Sequence, residues 1–144
     1  MRLSHISLTA RDAGGLAAFY RRVFGCTELR ARRRLTGAAV WCGNGLPGVA
    51  IDSRWLGLPG AEGVFLEILE YSESPLRDRP AINAPGYGHL SFVVDDLAAT
   101  IAAMLEAGGQ AQGEIADFGS AEAPFLIIYM RDPEGNVIEL EQPG

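Results

Sequence analysis

The sequence predicts an α+β protein built from two related modules, each opening on a strand, passing through a helix and closing on strands. Three observations carry that expectation. Leu3-Ser4-His5-Ile6-Ser7-Leu8 near the start is echoed by Tyr87-Gly88-His89-Leu90-Ser91-Phe92 in the second half. Each copy is followed by aspartate and then by an apolar-periodic stretch that stops at glycine: Asp12 to Gly25, and Asp95-Asp96 to Gly108. Each half then ends on a glutamate set in an apolar run, Phe65-Leu66-Glu67-Ile68-Leu69 and Val137-Ile138-Glu139-Leu140. A local pattern that recurs in this way marks one supersecondary unit used twice.

The bulk numbers agree with one domain. A chain of 144 residues, 48% hydrophobic and 21% charged, has material for a core and the surface charge of an ordinary soluble protein. Its net charge is -6, and every basic residue is Arg. Nucleic-acid binding is therefore not expected, because neutralising phosphates needs a positive face. The one basic run, Arg30, Arg32, Arg33 and Arg34, reads as a solvated strand or loop. The first residues, MRLSHISLTA, lack the features of a signal peptide, and no apolar stretch approaches the ~18 residues of a membrane span. The expected location is the cytoplasm, with no membrane partner. Cys26 and Cys42 have no metal-knuckle spacing and are expected as reduced, buried thiols.

The first element of each module alternates as a strand does. Leu3, His5, Ser7 and Thr9 share one face, with Ser4, Ile6 and Leu8 on the other; His89, Ser91 and Val93 share a face in the second module. Asp12, and Asp95 or Asp96, are candidate N-caps for the helices that follow. Leu16, Phe19, Tyr20, Val23 and Phe24 fall at helical spacing, as do Leu97, Ile101, Met104 and Leu105. Gly25 and Gly108 are natural stops. Residues 27–35, 38–42, 48–52 and 64–71 are the strands expected after the first helix. Residues 110–115, 124–131 and 136–141 are those expected after the second. Asp132-Pro133-Glu134-Gly135-Asn136 signals a tight turn, since Pro fixes one dihedral and Gly permits positive φ. The proline-containing stretch 73–85 reads as a linker between modules 1–72 and 86–144.

A carboxylate in an apolar strand is costly unless it is paired or bound to metal. Here the anomaly occurs twice at equivalent places, and each module also opens with a strand histidine. These are the chain's two histidines. If the modules pack symmetrically, His5, Glu67, His89 and Glu139 converge as a mixed nitrogen and oxygen ligand set. Such a set suits one divalent ion per site, Ni, Co, Zn, Mn or Fe, with open positions left for substrate oxygens. Glu70 and Glu141 read as solvated or supporting residues rather than ligands.

Together, the segments LSHISL around His5, Phe19-Tyr20 to Gly25 at the helix end, FLEILE around Glu67, GYGHLSFVVDD around His89 and DPEGNVIEL around Glu139 resemble the vicinal oxygen chelate superfamily. That group includes glyoxalase I, methylmalonyl-CoA epimerase, extradiol dioxygenases and fosfomycin-resistance proteins. The resemblance covers nearly the whole chain. It implies a single glyoxalase-like domain over residues 1–144, in which paired βαβββ modules form a cupped, mostly antiparallel sheet around the metal. It also implies the activity: a lyase or isomerase that abstracts a proton next to a carbonyl and stabilises a metal-bound enolate or enediolate, with Glu139 or Glu67 as base. The substrate would be a small oxygen-rich molecule, and the assembly a homodimer.

The four-ligand pattern looks most like glyoxalase I; dioxygenases and fosfomycin-type enzymes lack a ligand at the Glu67 position, and the epimerase typically has Gln there. Two positions depart from the relatives. Thr9 stands where glyoxalase I tends to carry Arg, and Trp41-Cys42-Gly43-Asn44-Gly45 offers no carboxylate where the epimerase has its second base. The alternatives are an Fe-dependent extradiol-type dioxygenase and a non-catalytic protein that sequesters a small molecule.

Overall fold

The computed structural model describes residues 1–76 and 78–144. The chain forms two compact units, Met1–Leu76 and Arg77–Gly144, each with its own five-stranded sheet.

In the first unit the order along the chain is β1 (His5–Thr9), α1 (Ala13–Phe24), β2 (Thr27–Glu28), β3 (Arg33–Leu35), α2 (Ala38–Asn44), β4 (Ile51–Gly57) and β5 (Phe65–Tyr71). Strand β1 runs parallel to β5; β5 pairs antiparallel with β4, and β4 with both β2 and β3. α1 begins where expected. The Asp12 carboxylate accepts the Gly15 N–H at 2.8 Å, and Gly25 ends the helix in the left-handed region at φ 65°. Leu16, Ala17, Phe19 and Tyr20 are buried. So are Leu56, Leu66 and Ile68, which by register share the sheet face that α1 covers. That face is the core of the unit.

Three expectations for this half need correction. Residues 38–42 are helical, not a strand. Ala38 and Ala39 favour helix, Gly37 at φ 97° precedes it, and left-handed Gly45 closes it. The strand expected at 48–52 starts later and runs on to Gly57 through Asp52, Ser53 and Arg54, whose polarity hides the alternation. The strand expected at 27–35 is broken into β2 and β3, which pair with opposite ends of β4.

The second unit follows the same plan: β6 (His89–Val93), α3 (Leu97–Glu106), β7 (Gln110–Ala111), β8 (Ala116–Asp117), β9 (Phe125–Arg131) and β10 (Val137–Pro143). β6 is parallel to β10, β10 antiparallel to β9, and β9 antiparallel to β7 and β8. Asp96 is the N-cap of α3, accepting the Ala99 N–H at 2.9 Å. Of the expected 110–115 strand only Gln110–Ala111 forms as β7, and β8 follows beyond it at Ala116–Asp117. The turn between β9 and β10 is organised by the buried Asp132, whose carboxylate accepts from the Glu134 and Asn136 N–H groups; Gly135 there takes φ 88°. Met104, Ile128, Met130, Ile138 and Leu140 make the core.

Mixed strand and helix content, two antiparallel-rich sheets and three helices give the α+β class with paired modules that the sequence predicts. Among the described residues, no helix is long and apolar enough to cross a membrane.

Candidate functional site

In the first unit β1 and β5 lie side by side in parallel, with His5 opposite Phe65 and Ser7 opposite Glu67. Residues in register share a face, so His5 and Glu67 stand on the face turned away from α1, one step apart on a diagonal. His5 Nε2 lies 3.5 Å from Glu67 Oε2. The imidazole stacks on Phe65, with ring centroids 5.0 Å apart, and its Nδ1 is 3.3 Å from Ser4 Oγ. The other oxygen of the carboxylate, Oε1, accepts from the Trp55 indole N–H at 2.8 Å and from Ser53 Oγ at 3.1 Å. Glu67 is thus tethered through one oxygen and presents the other beside the histidine.

The second unit repeats the arrangement. His89 is opposite Val137 and Ser91 opposite Glu139, the same diagonal step. His89 Nε2 lies 2.8 Å from Glu139 Oε2. The supporting aromatic is Tyr129, in register with Glu139 as Trp55 is with Glu67. A hydrogen bond to Glu139 is the main reason the Tyr129 phenol is held above its usual pKa, with burial and the charges of Glu139 and Glu141 adding to it. The Tyr129 ring meets His89 edge-on at 5.3 Å.

The expected ligands are therefore paired within each unit, His5 with Glu67 and His89 with Glu139. Within each unit, among the described residues, no further His, Cys, Asp or Glu joins the pair to make a group of three. The donors fit a divalent ion. Two ligands about 2.1 Å from one ion sit roughly 3 Å apart when at right angles, and the two Nε2–Oε2 separations of 2.8 and 3.5 Å bracket that. Both carboxylates are shielded, 15% and 13% exposed at the side chain, while their histidines are 41% and 36% exposed. A half-desolvated carboxylate with open space on its histidine side is an environment that favours a cation.

Of Glu70 and Glu141, both expected as solvated or supporting residues, Glu70 takes a different role. Glu70 points to the helix face, where its Oε2 accepts the N–H of Ala13, the first residue of α1, at 2.9 Å. Gln142 does the same for Leu97 of α3 at 2.7 Å. Both are caps supplied from a neighbouring strand. Glu141 stays on the Glu139 face and accepts from Ser91 Oγ. Trp55, Ser53 and Tyr129 were not singled out from the sequence. Their role depends on register with the glutamates, which no local pattern discloses. Cys42 is exposed, contrary to expectation, because it lies on α2 rather than in a buried strand; Cys26 is buried.

A repeated strand–helix–strand module that carries a His–Glu pair across its parallel strands defines a vicinal-oxygen-chelate architecture. The chain belongs to the glyoxalase-like domain family of that superfamily, whose match covers residues 5–141. It is 26% identical over 143 residues to the virulence protein STM3117 of Salmonella typhimurium, covering 98% of this chain and 83% of that protein. Among solved structures, a glyoxalase family protein from Bacillus cereus superposes with a TM-score of 0.86 at 18% identity, covering 99% of this chain and 94% of the other. A glyoxalase I mutant from Zea mays gives 0.67 at 20% identity, covering 97% of this chain and 44% of the maize chain. The fosfomycin resistance protein FosX of Listeria monocytogenes, an E-to-Q mutant complexed with Mn(II) and a dihydroxypropylphosphonic acid, gives 0.61 at 19% identity, covering 98% and 91%. At these identities the structural likenesses speak for the fold.

Proposed function

We propose that this protein is a divalent-metal-dependent lyase or isomerase of the glyoxalase and epimerase type, acting on a small oxygen-rich substrate. The observation that carries the reading is the duplicated pair: His5 Nε2 beside Glu67 Oε2 in one unit and His89 Nε2 beside Glu139 Oε2 in the other. Each carboxylate is also held by an aromatic donor, Trp55 or Tyr129. His5, Glu67, His89 and Glu139 would hold one ion per site, of Ni, Co, Zn, Mn or Fe. Such an ion, when bound, supplies Lewis-acid stabilisation of negative charge on substrate oxygen.

The chain's own residues do the rest. Glu139 or Glu67 takes the proton next to the substrate carbonyl and returns it. In Glu67 the oxygen left to accept is Oε2, since the Trp55 and Ser53 hydrogen bonds occupy Oε1. The tether keeps the carboxylate from rotating away between the two transfers. On this reading, residues 1–72 and 86–144 act as the two modules of a single domain joined by 73–85, and the protein works as a homodimer in the cytoplasm.

The test is Glu→Gln at positions 67 and 139, with metal content measured before turnover. Gln removes the basic carboxylate but keeps an oxygen that can ligate. A base role predicts metal retained while solvent-deuterium incorporation into substrate is lost in at least one variant. If both variants keep metal and near-full exchange, the proton-transfer reading is wrong. Oxygen uptake would reveal the dioxygenase instead, and absence of bound metal a sequestering protein.

A further inference from the structure

The arginine-rich segment at 30–34 is not used by the functional reading, and the structure sorts it by face. Arg32 Nε meets Asp52 Oδ2 at 2.6 Å, and Arg34 is the register partner of Asp52. These two lie on the helix-covered side of the sheet, where Asp52 pairs with Arg32. Arg30 and Arg33 lie on the other side, the side of Glu67. Arg33 is in register with Ser53. Arg30 Cζ sits over the Trp55 ring, 3.4 Å from its centroid, and Arg30 Nη2 donates to Ser53 Oγ at 3.0 Å.

Ser53 and Trp55 are the residues that hold Glu67. The guanidinium is thus built into the floor that carries the proposed ligand. Arg30 Nε is buried and has no hydrogen-bond acceptor among the described residues. Nor, among the described residues, does any carboxylate form an ion pair with Arg30 or Arg33. Burial first, and then the Arg33 charge, push the Arg30 guanidinium below its usual pKa, with Glu67 opposing them. Two like charges set together beside a half-buried floor are unfavourable until an anion joins them.

We propose that Arg30 and Arg33 form an oxyanion subsite beside Glu67 that takes a carboxylate or phosphate group of the substrate. The proposal deepens the functional reading and rests on it for the identity of the site: the substrate carries an oxyanion on the side of Glu67 that Arg30 and Arg33 occupy, in addition to its chelating oxygens. A guanidinium offers N–H donors that match either group, and the Trp55 ring together with the Ser53 hydrogen bond holds the Arg30 guanidinium in place. A neutral dicarbonyl compound would bring no anionic partner to either guanidinium.

The test is isothermal titration of the intact, chelator-treated protein with inorganic phosphate, with acetate, and with acetamide as neutral control. Saturable binding of at least one anion, and none of acetamide, is expected. Arg30→Gln and Arg33→Gln should each weaken it about tenfold or more, the scale of a charge-assisted hydrogen bond. Arg30→Lys, which keeps the charge and loses the fork, should fall between. Arg33 is exposed, so its variant tests the idea even if Arg30→Gln fails to fold. Tighter phosphate binding identifies a phosphoryl substrate, and tighter acetate binding a carboxylate substrate. No saturable anion binding, or binding indifferent to both substitutions, overturns the proposal. Metal uptake measured on the same samples separates the two readings: Arg-dependent anion binding by a protein that takes up no metal would sink the functional reading and leave the subsite standing.

Discussion

The Trp55 indole N–H donates to Glu67 Oε1 at 2.8 Å, across the antiparallel β4–β5 pair in which these two residues are directly opposed. That bond determines which oxygen of Glu67 is left to face His5. Tyr129 and Glu139 stand in the same register on β9 and β10. The proposed ligands are therefore positioned by a neighbouring strand as well as by their own.

Trp55→Phe removes the donor and keeps the ring that stacks on Phe65. Metal affinity, measured by competition with a chromophoric chelator, should fall by about tenfold or more, as it does when such supporting bonds are cut. Unchanged affinity would mean that the indole hydrogen bond does not orient a ligand.

Glu70→Ala should behave differently, because Glu70 caps α1 rather than serving the site. Loss of the bond to the Ala13 N–H is expected to cost about 1 kcal/mol of stability, read from denaturant unfolding, with metal uptake unaltered. Loss of metal with stability intact would reverse the assignment of faces.

The two thiols should differ in reactivity and in their effect on stability. Burial is the main reason Cys26 is pushed up to about 11, from 9.0. A raised folded-state value means that the native protein holds this proton more tightly than the unfolded chain. The corresponding stability is fully present below pH 9 and is lost as pH rises towards 11. At mildly alkaline pH a thiol reagent should titrate one cysteine quickly, the exposed Cys42, and the second only after denaturation. Equal rates for both would contradict the burial of Cys26.

Much of the fold is legible because the repeat supplies the same pattern twice. His5 and His89 on the first strands, Asp12 and Asp96 as caps, and the apolar periodicity of α1 and α3 are all local signals. The exceptions are non-local. Residues 38–42 read as a strand because Val40, Trp41 and Cys42 have strand propensity, whereas flanking glycines and the Trp41 bond to the Val49 carbonyl at 2.7 Å favour a helix. The extent of β4 is hidden because its polar residues Asp52, Ser53 and Arg54 interrupt the apolar alternation, and the partners Arg32 and Glu67 that accommodate Asp52 and Ser53 lie elsewhere in the chain. For the candidate site, the two His–Glu pairs follow from strand parity and repetition. Trp55, Tyr129 and the division of Arg30, Arg32, Arg33 and Arg34 between two faces needed the register.

The most direct measurement is metal content by elemental analysis of the intact protein and of its His5→Ala and His89→Ala variants, after loading and gel filtration. One ion per four-ligand site is predicted for the parent protein, one histidine coming from each module. Both variants should remain folded and lose most of it, because each removes the nitrogen donor that faces a glutamate. Full metal content in either variant would contradict the four-ligand centre on which this account of the protein depends.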